Sequence, residues 1–431
     1  MEILNLKLND DLMDWGFVRT SSQKKIVWKD ETVEYDVYKI PVDILVYNLR
    51  NGRMFIEAKR FENTENIKLE DLKKEDPKKY NDEVENLIWS TNEERNIATK
   101  KDIEKYGQIE PGVVLDDGTV IDGNRRFTCI RRLHREHPDD DRFKYFSAAL
   151  VRVDGKIITN QLLKEYELRV QFGADEKVGY NVINMNMSIY DLIKNNKEFD
   201  YTKVAELINK TPGDINKIYR TCKLVDEFLE YIGLPGEYQI AEDMKIYWPL
   251  EPLGSYFSGE GKVLTPFEVS ARKHLFFDYL LTLDVSLITQ NLRDGLIKKI
   301  FKDPDKTNEV IKEHKDVIGD SIQEVINSSS GAQDFLSSIN ALRETTEAQQ
   351  DKDNYERKVN ELTNKSVLDL PIRQCRDAQK TLEDVNIKAL TESSNPIADE
   401  KLNEIKKILS QIKDRIKDLE AEMGLYEQGL N

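Results

Sequence analysis

The chain has 431 residues, of which 39% are hydrophobic and 33% charged, and it carries a formal net charge of −16. That length fits two to four domains with ample core, and the composition is that of a soluble, charge-rich, helix-rich protein. An excess of acid this large excludes a general DNA coat, so any nucleic-acid contact has to come from a local basic patch. No apolar run approaches a membrane span, and MEILNLKLND lacks the basic start and apolar centre of a signal peptide, so a cytoplasmic protein without membrane partners is expected. Cys129, Cys222 and Cys375 lie far apart and form no CxxC pair, which argues against a disulfide framework and a zinc site. His134 and His137 are the one close histidine pair; with no cysteine or glutamate cluster beside them they read as a helix end, and no metal site is assigned.

Residues 1–60 predict strands. Leu4, Leu6 and Leu8 alternate with polar residues, the period of a half-buried strand. Lys25–Trp28 and Val33–Tyr38 predict neighbouring strands around a polar turn, and Ile40–Asn48 a further strand that runs into Arg50-Asn51-Gly52-Arg53. Asn-Gly there marks a turn, with Arg50 and Arg53 at its lip. Residues 62–80 are charged and poor in large apolar side chains, so a mobile loop or insertion is expected. Helical spacing follows through Val84, Leu87 and Ile88, and again through Ile97, Ile103 and Tyr106, where Gly107 stops it.

The densest local signal is Val113–Leu133, VVLDDGTVIDGNRRFTCIRRL. Two short β-prone runs flank Asp116-Asp117-Gly118, a hairpin signal. Beyond them Phe127, Ile130 and Leu133 recur at helical spacing, so strand turns into helix at Gly123. A glycine at such a corner permits close backbone approach, and the first N–H groups of the helix point at any anion placed there. Arg125 and Arg126 occupy the first turn, where the helix dipole favours acids, and their guanidinium forks suit phosphate. The other reading is that Arg125, Arg126, Arg131 and Arg132 form a basic helix face answering nearby acids. Asp122 immediately before the glycine is placed to hold magnesium or to act as a base, or else to cap the helix. A strand over Phe146–Val153 with a turn at Asp154-Gly155, then a helix through Leu162, Tyr166 and Val170, leads to Gln171–Lys177.

The strand IPVDILVYN, a helix ending at Gly107, PGVVLDDGTVIDGNRRFTCIRRL and a following strand and helix together resemble the ParB/sulfiredoxin superfamily, over roughly residues 35–185. The resemblance implies a small α+β nucleotide-binding domain whose Gly-x-Arg-Arg corner binds the phosphates of a nucleoside triphosphate, CTP or ATP, possible magnesium included. It places that role on Gly123, Arg125 and Arg126; Asn124 within the corner, Arg53 at the earlier turn and Lys177 are counted with them as candidate nucleotide ligands, and Asp122 is the catalytic candidate. The sequence departs from the family in places. Asn124 and Arg125 stand where sulfiredoxins have their catalytic Cys and the His beside it, and Cys129 falls on the apolar side of the helix as a packing residue, so sulfiredoxin chemistry is not expected. CTP-dependent clamps have an acid where Asn124 stands. Their second motif, Glu-Asn-x-x-Arg, is absent as such, and its nearest counterpart is the segment from Arg169 to Lys177.

Residues 186–235 predict helix throughout, with Thr211-Pro212-Gly213 between two apolar faces, the pattern of a helix-turn-helix. It resembles the segment that follows the nucleotide domain in ParB-like proteins, where a Lys-Ser/Thr pair opens the turn; here the pair is Lys210-Thr211. Asn216, Lys217, Arg220 and Lys223 fall on or near the second helix, so these residues with Lys210 and Thr211 are the candidate DNA contacts. A helical hairpin used only for packing is the plainer alternative. Residues 236–330 predict helices without recognisable chemistry, and His274 among aromatic residues is read as packed. Beyond Ser328–Gly331 the chain is polar helix. Asn395-Pro396 opens a heptad seam of Leu402, Ile405, Leu409, Ile412, Ile416, Leu419, Met423 and Tyr426. Phe335, Ile339, Leu342, Tyr355, Val359 and Leu362 form a weaker seam, and an antiparallel hairpin within the chain, with some dimer contact, is expected.

The expected organisation is therefore an α+β domain over 1–185, a helix-turn-helix over 186–235, a helical domain over 236–330 and coiled-coil helices over 331–431. The first functional reading is a nucleotide-binding, DNA-associated protein with a homodimer or protein partner held through the C-terminal helices. The alternatives are an NTP-dependent enzyme, an NTPase or nuclease of a restriction or phage-defence module whose DGQQR-type corner DGNRR resembles, or a non-catalytic interaction subunit.

Overall fold

The structure is a computed structural model that describes residues 3–7, 10–28, 31–48, 54–153, 159–172, 182–283, 288–392 and 396–429. It divides into two compact units, residues 1–359 and 360–431. The first unit begins with a mixed six-stranded sheet and continues almost wholly as helix.

The strands are β1 (Val18–Trp28), β2 (Glu31–Pro41), β3 (Val46–Tyr47), β4 (Gly112–Leu115), β5 (Thr119–Asp122) and β6 (Tyr145–Val151). Their order across the sheet is β1-β2-β6-β4-β5-β3. The β4–β5 hairpin forms as its Asp-Asp-Gly signal predicts, and Gly118 at the turn has a φ of +79°. β4 runs parallel to β6 and β5 parallel to β3, so long helical connections must link them. Four helices lie between β3 and β4: α1 (Phe55–Glu65), α2 (Leu69–Glu75), α3 (Pro77–Thr91) and α4 (Glu93–Tyr106).

Both faces of the sheet are covered, which is why its central strands are apolar on successive residues. Val114, Val120, Phe146, Ala148 and Leu150 face a core shared with Tyr80 and Val84 of α3 and with Phe127, Ile130 and Leu133 of α5 (Asn124–Glu136). Val113, Leu115, Ile121, Ala149 and Val151 face the opposite way, onto Leu163 and Tyr166 of α6 (Asn160–Phe172).

Three expectations fail here. Residues 62–80 are not a loop: they hold the end of α1, all of α2 and the start of α3, because Leu69 and Leu72 are buried and anchor a helix too short to show a period in the sequence. Ile40–Asn48 is broken by a 3-10 turn at Val42–Ile44, so only Val46 and Tyr47 form the edge strand. Leu4 and Leu6 are buried as expected, yet no strand forms; Leu4 N–H donates to Ile44 O and Leu6 N–H to Asp116 O. Leu8 lies outside the described residues, as does the predicted Asp154-Gly155 turn.

The helical part of the first unit comprises α7 (Val182–Asn195), α8 (Tyr201–Leu207), α9 (Pro212–Tyr231), α10 (Tyr238–Asp243), α11 (Tyr247–Ser258), α12 (Pro266–Thr282) and α13 (Ile288–Asn291), which runs into a π-helical stretch at Leu292–Ile300. α14 (Pro304–His314), α15 (Asp320–Ser328), α16 (Ala332–Arg343) and the start of α17 (Thr346–Glu383) complete it. Phe335, Ile339, Leu342 and Tyr355, expected on a coiled-coil seam, are buried in this unit instead. The Arg343 guanidinium donates to Leu280 O and Leu281 O at the end of α12, and Tyr355 Oη donates to Asn291 O at 2.7 Å. The second unit holds the remainder of α17, α18 (Lys388–Thr391) and α19 (Pro396–Gly429). No helix among the described residues is long and apolar enough to cross a membrane.

Candidate functional site

α5 starts at the corner the sequence marks. Gly123 is its N-cap with a φ of +95°, a conformation that disfavours any residue with a Cβ. Space at the corner is also tight: a Cβ on Gly123 would lie 3.0 Å from Phe146 Cζ and 3.2 Å from a terminal nitrogen of Arg126. Among the described residues no side-chain cap is found at its start and no acid occupies its first turn, so its leading N–H groups and positive dipole end lie at the corner.

Around that corner lies a layer of charge. Asp122, at the end of β5, accepts a hydrogen bond from Lys24 Nζ of β1 at 2.9 Å, and its other oxygen is 3.7 Å from Arg126. Lys24 Nζ donates also to Pro111 O at 2.7 Å, while Arg126 Nη1 donates to the exposed Glu110 at 2.9 Å. Lys24, Asp122 and Arg126 each keep about a fifth of their side-chain surface exposed, 21%, 20% and 21%, so the group is open to solute on one side. Tyr166 of α6 is close enough to feel these charges: burial, and then the Asp122 carboxylate, pushes its phenol up. Arg169, one turn further along α6, donates to Val27 O at 3.0 Å. Among the described residues, no hydrogen-bond partner reaches Arg126 Nε, Arg169 Nε or Asn124 Oδ1, although all three atoms are buried. Buried polar atoms of that kind are normally satisfied.

The remaining arginines of α5 do different work. Arg131, Arg132 and Arg135 converge on the buried Glu85 of α3, and Arg131 reaches Asp82 as well. The Arg132 guanidinium lies 3.9 Å from the centroid of Trp89. These residues are a structural clamp between α3 and α5: the acids that the other reading calls for are there at the far end of the helix, but Arg131 and Arg132 are largely buried and do not form a solvated face. Cys129 is fully buried, with its thiol 3.6 Å from Asn96 O, and burial pushes it up to about 12, as suits a packing residue.

Arg53 and Lys177, counted as candidate nucleotide ligands, lie outside the described residues. Lys24, Glu110, Tyr166 and Arg169 were not foreseen as one group. Lys24 lies on β1, Glu110 in the loop before β4, and Tyr166 and Arg169 on α6, up to 145 residues apart along the chain; of the four only Arg169 is marked in the sequence, at the start of the segment nearest the family's second motif.

The second candidate region is α8 and α9, joined through Ile208–Thr211. Thr211 caps α9 in a reciprocal box with Asp214, whose carboxylate accepts from the Thr211 backbone. Asn216, Arg220 and Lys223 follow at helical spacing, with Lys217 next to Asn216. Lys217 is held by Glu251 of α11 at 2.7 Å, and Lys223 lies 3.8 Å from Glu227. Arg220 is half-buried, with its Cβ beside Gly254 of α11. Lys210 and Thr211 are exposed at the turn. The six candidate DNA contacts therefore run from the turn before α9 to just past its middle, with part of their charge answered from within the chain.

Comparison with known proteins finds no matching family model and no matching curated protein. Among solved structures, the C-terminally truncated chromosome-partitioning protein ParB from Caulobacter crescentus, complexed to the centromeric parS site, is similar with a TM-score of 0.26 and 12% identity. The likeness covers 47% of this chain and 88% of that one. At that TM-score it carries no argument about fold or function.

Proposed function

We propose that the β5–α5 corner binds the phosphates of a nucleotide and that the protein is DNA-associated through α9 and the turn before it. The observation that carries the first part is a helix N-terminus without a side-chain cap, entered through a positive-φ glycine, with the buried Nε of Arg126 left without a partner beside it among the described residues. A polyphosphate bridging Arg126 and the first N–H groups of α5 would satisfy the free Nε of that guanidinium, and Lys24 adds a second cation within reach of Asp122. The Asp122 carboxylate already holds Lys24 and lies near Arg126, so in this reading it orients the two cations. A magnesium ion on Asp122 would have to displace Lys24, which favours binding without rapid hydrolysis over an NTPase.

Titrating the purified chain with CTP, ATP and GTP in magnesium, with calorimetry for binding and a phosphate-release assay for turnover, tests this. Binding without release is the expected result, weakened at least tenfold by Arg126→Ala. Retention of full affinity by that variant, or no binding by any of the three at millimolar concentration, removes the assignment. Fast release that Asp122→Asn abolishes would return the enzyme reading.

The DNA part rests on the stripe of Asn216, Arg220 and Lys223 with Lys217 beside it. Lys217→Glu combined with Arg220→Glu is expected to abolish retention of duplex DNA in a low-salt gel shift, because phosphate contacts dominate such affinity. An unchanged shift would leave α8 and α9 as a packing hairpin.

A further inference from the structure

Among the described residues, α19 carries a long apolar seam that is only partly covered. Leu402, Ile405, Leu409, Ile412, Ile416, Leu419 and Met423 alternate three and four apart, the spacing of a coiled-coil seam. Leu409, Ile416, Leu419 and Met423 are 49%, 48%, 36% and 62% exposed. A long, charged, solvated helix gains most of its stability from packing one face, so a seam of this length implies an occupant.

The charges beside the seam identify it. With Leu402, Leu409, Ile416 and Met423 as the first core position of each heptad, the flanking positions are Lys401, Lys406, Ile408, Lys413 and Arg415 in the first half, then Glu420 and Glu422. One end of the helix is flanked by cations and the other by acids. A parallel pair would set Lys401 against Lys406 of its neighbour and gain only Arg415 against Glu420. An antiparallel pair that places Ile416 over the neighbour's Leu419 and Ile412 over its Met423 sets Lys413 against Glu420 and Arg415 against Glu422. By symmetry each pair occurs twice, and none of these flanking positions meets a like charge. Arg415 already bonds Glu422 of its own helix at 3.1 Å, so the required reach is available.

We infer that the partner of α19 is a second copy of this chain, packed antiparallel through this seam. The full chain is expected to sediment as a dimer at micromolar concentration. Lys413→Glu with Arg415→Glu should weaken the dimer at least tenfold, and adding Glu420→Lys and Glu422→Lys to the same chain should restore it. For orientation, Cys375, the exposed cysteine, is replaced by Ser and a spin label is attached at Glu400→Cys. At a rise of about 1.5 Å per residue the two labels are about 50 Å apart in the antiparallel register. In a parallel pair they stand side by side within about 25 Å, since helix axes lie about 10 Å apart. A monomeric chain, a short label distance, or a dimer indifferent to the charge swap would each overturn the proposal.

Discussion

Glu85 has its side chain buried in α3, and three arginines of α5 are turned toward it. A carboxylate so placed is tolerable only because the guanidinium groups replace its water; removing the charge leaves partly buried cations without an answer. Glu85→Gln is expected to lower unfolding free energy by about 3 kcal/mol, read by urea denaturation. A loss below about 1 kcal/mol, the ordinary worth of a surface pair, would show the clamp to be ornamental. Gly123 is constrained in a different way. At φ +95°, with Phe146 close to any added Cβ, Gly123→Ala is expected to cost about 1–3 kcal/mol and to shift the start of α5. Its thermal midpoint and its nucleotide affinity should fall together. Full stability in this variant would show that the corner relaxes freely.

At the scale of elements, the two-residue strand β3 would leave an open sheet edge, which α3 closes with side chains. Asn81 Oδ1 accepts from Tyr47 N–H at 3.1 Å and its Nδ2 donates to Leu45 O at 2.7 Å, imitating a neighbouring strand. Tyr80 Oη donates to Tyr47 O at 3.0 Å. Asn81→Ala strands two buried backbone groups and is expected to cost about 2–3 kcal/mol, with faster hydrogen exchange at the Tyr47 amide. Unaltered exchange there would mean that another group satisfies the edge. The same element logic explains the miss at 62–80: α2 is specified by what lies beneath Leu69 and Leu72, which no local pattern contains.

Across the whole molecule, His314 ties together parts of the chain that are distant in sequence. Its Nδ1 lies 3.0 Å from Asp351 of α17 and its Nε2 3.3 Å from Asp278 of α12, while Tyr231 Oη of α9 donates to Asp278 at 2.5 Å. Burial opposes the imidazolium, but the two carboxylates outweigh it and raise the pKa from 6.5 to about 9. Because the folded value lies above the unfolded one, this contribution is complete below about pH 6.5 and is lost as pH climbs through about 9. Stability should therefore fall between neutral and alkaline pH, and His314→Gln should be less stable at pH 6 with a flatter profile above it. Parallel profiles for the two proteins would refute the bridge. The net charge of −16 belongs to this scale as well: it repels DNA as a whole, so any DNA affinity rests on the few cations on and before α9.

What the sequence determined by itself was local. The Asp-Asp-Gly hairpin, the strand-to-helix corner at Gly123, the helix stop at Gly107, the Thr211-Pro212 start of α9 and the heptad seam of α19 are all written in neighbouring residues, because turn chemistry, capping and periodicity act over a few positions. Only the tertiary structure decided which arginines of α5 clamp Glu85 and which face the corner, since both sets share one helix and one composition. It brought Lys24 of β1 and Tyr166 of α6 to Asp122, although β1 and β5 are not neighbours in the sheet. It also buried Phe335, Ile339, Leu342 and Tyr355 in the core of the first unit, although their spacing suggests a coiled-coil seam. Burial and long-range pairing depend on which elements become neighbours, and that follows from the packing of the whole chain.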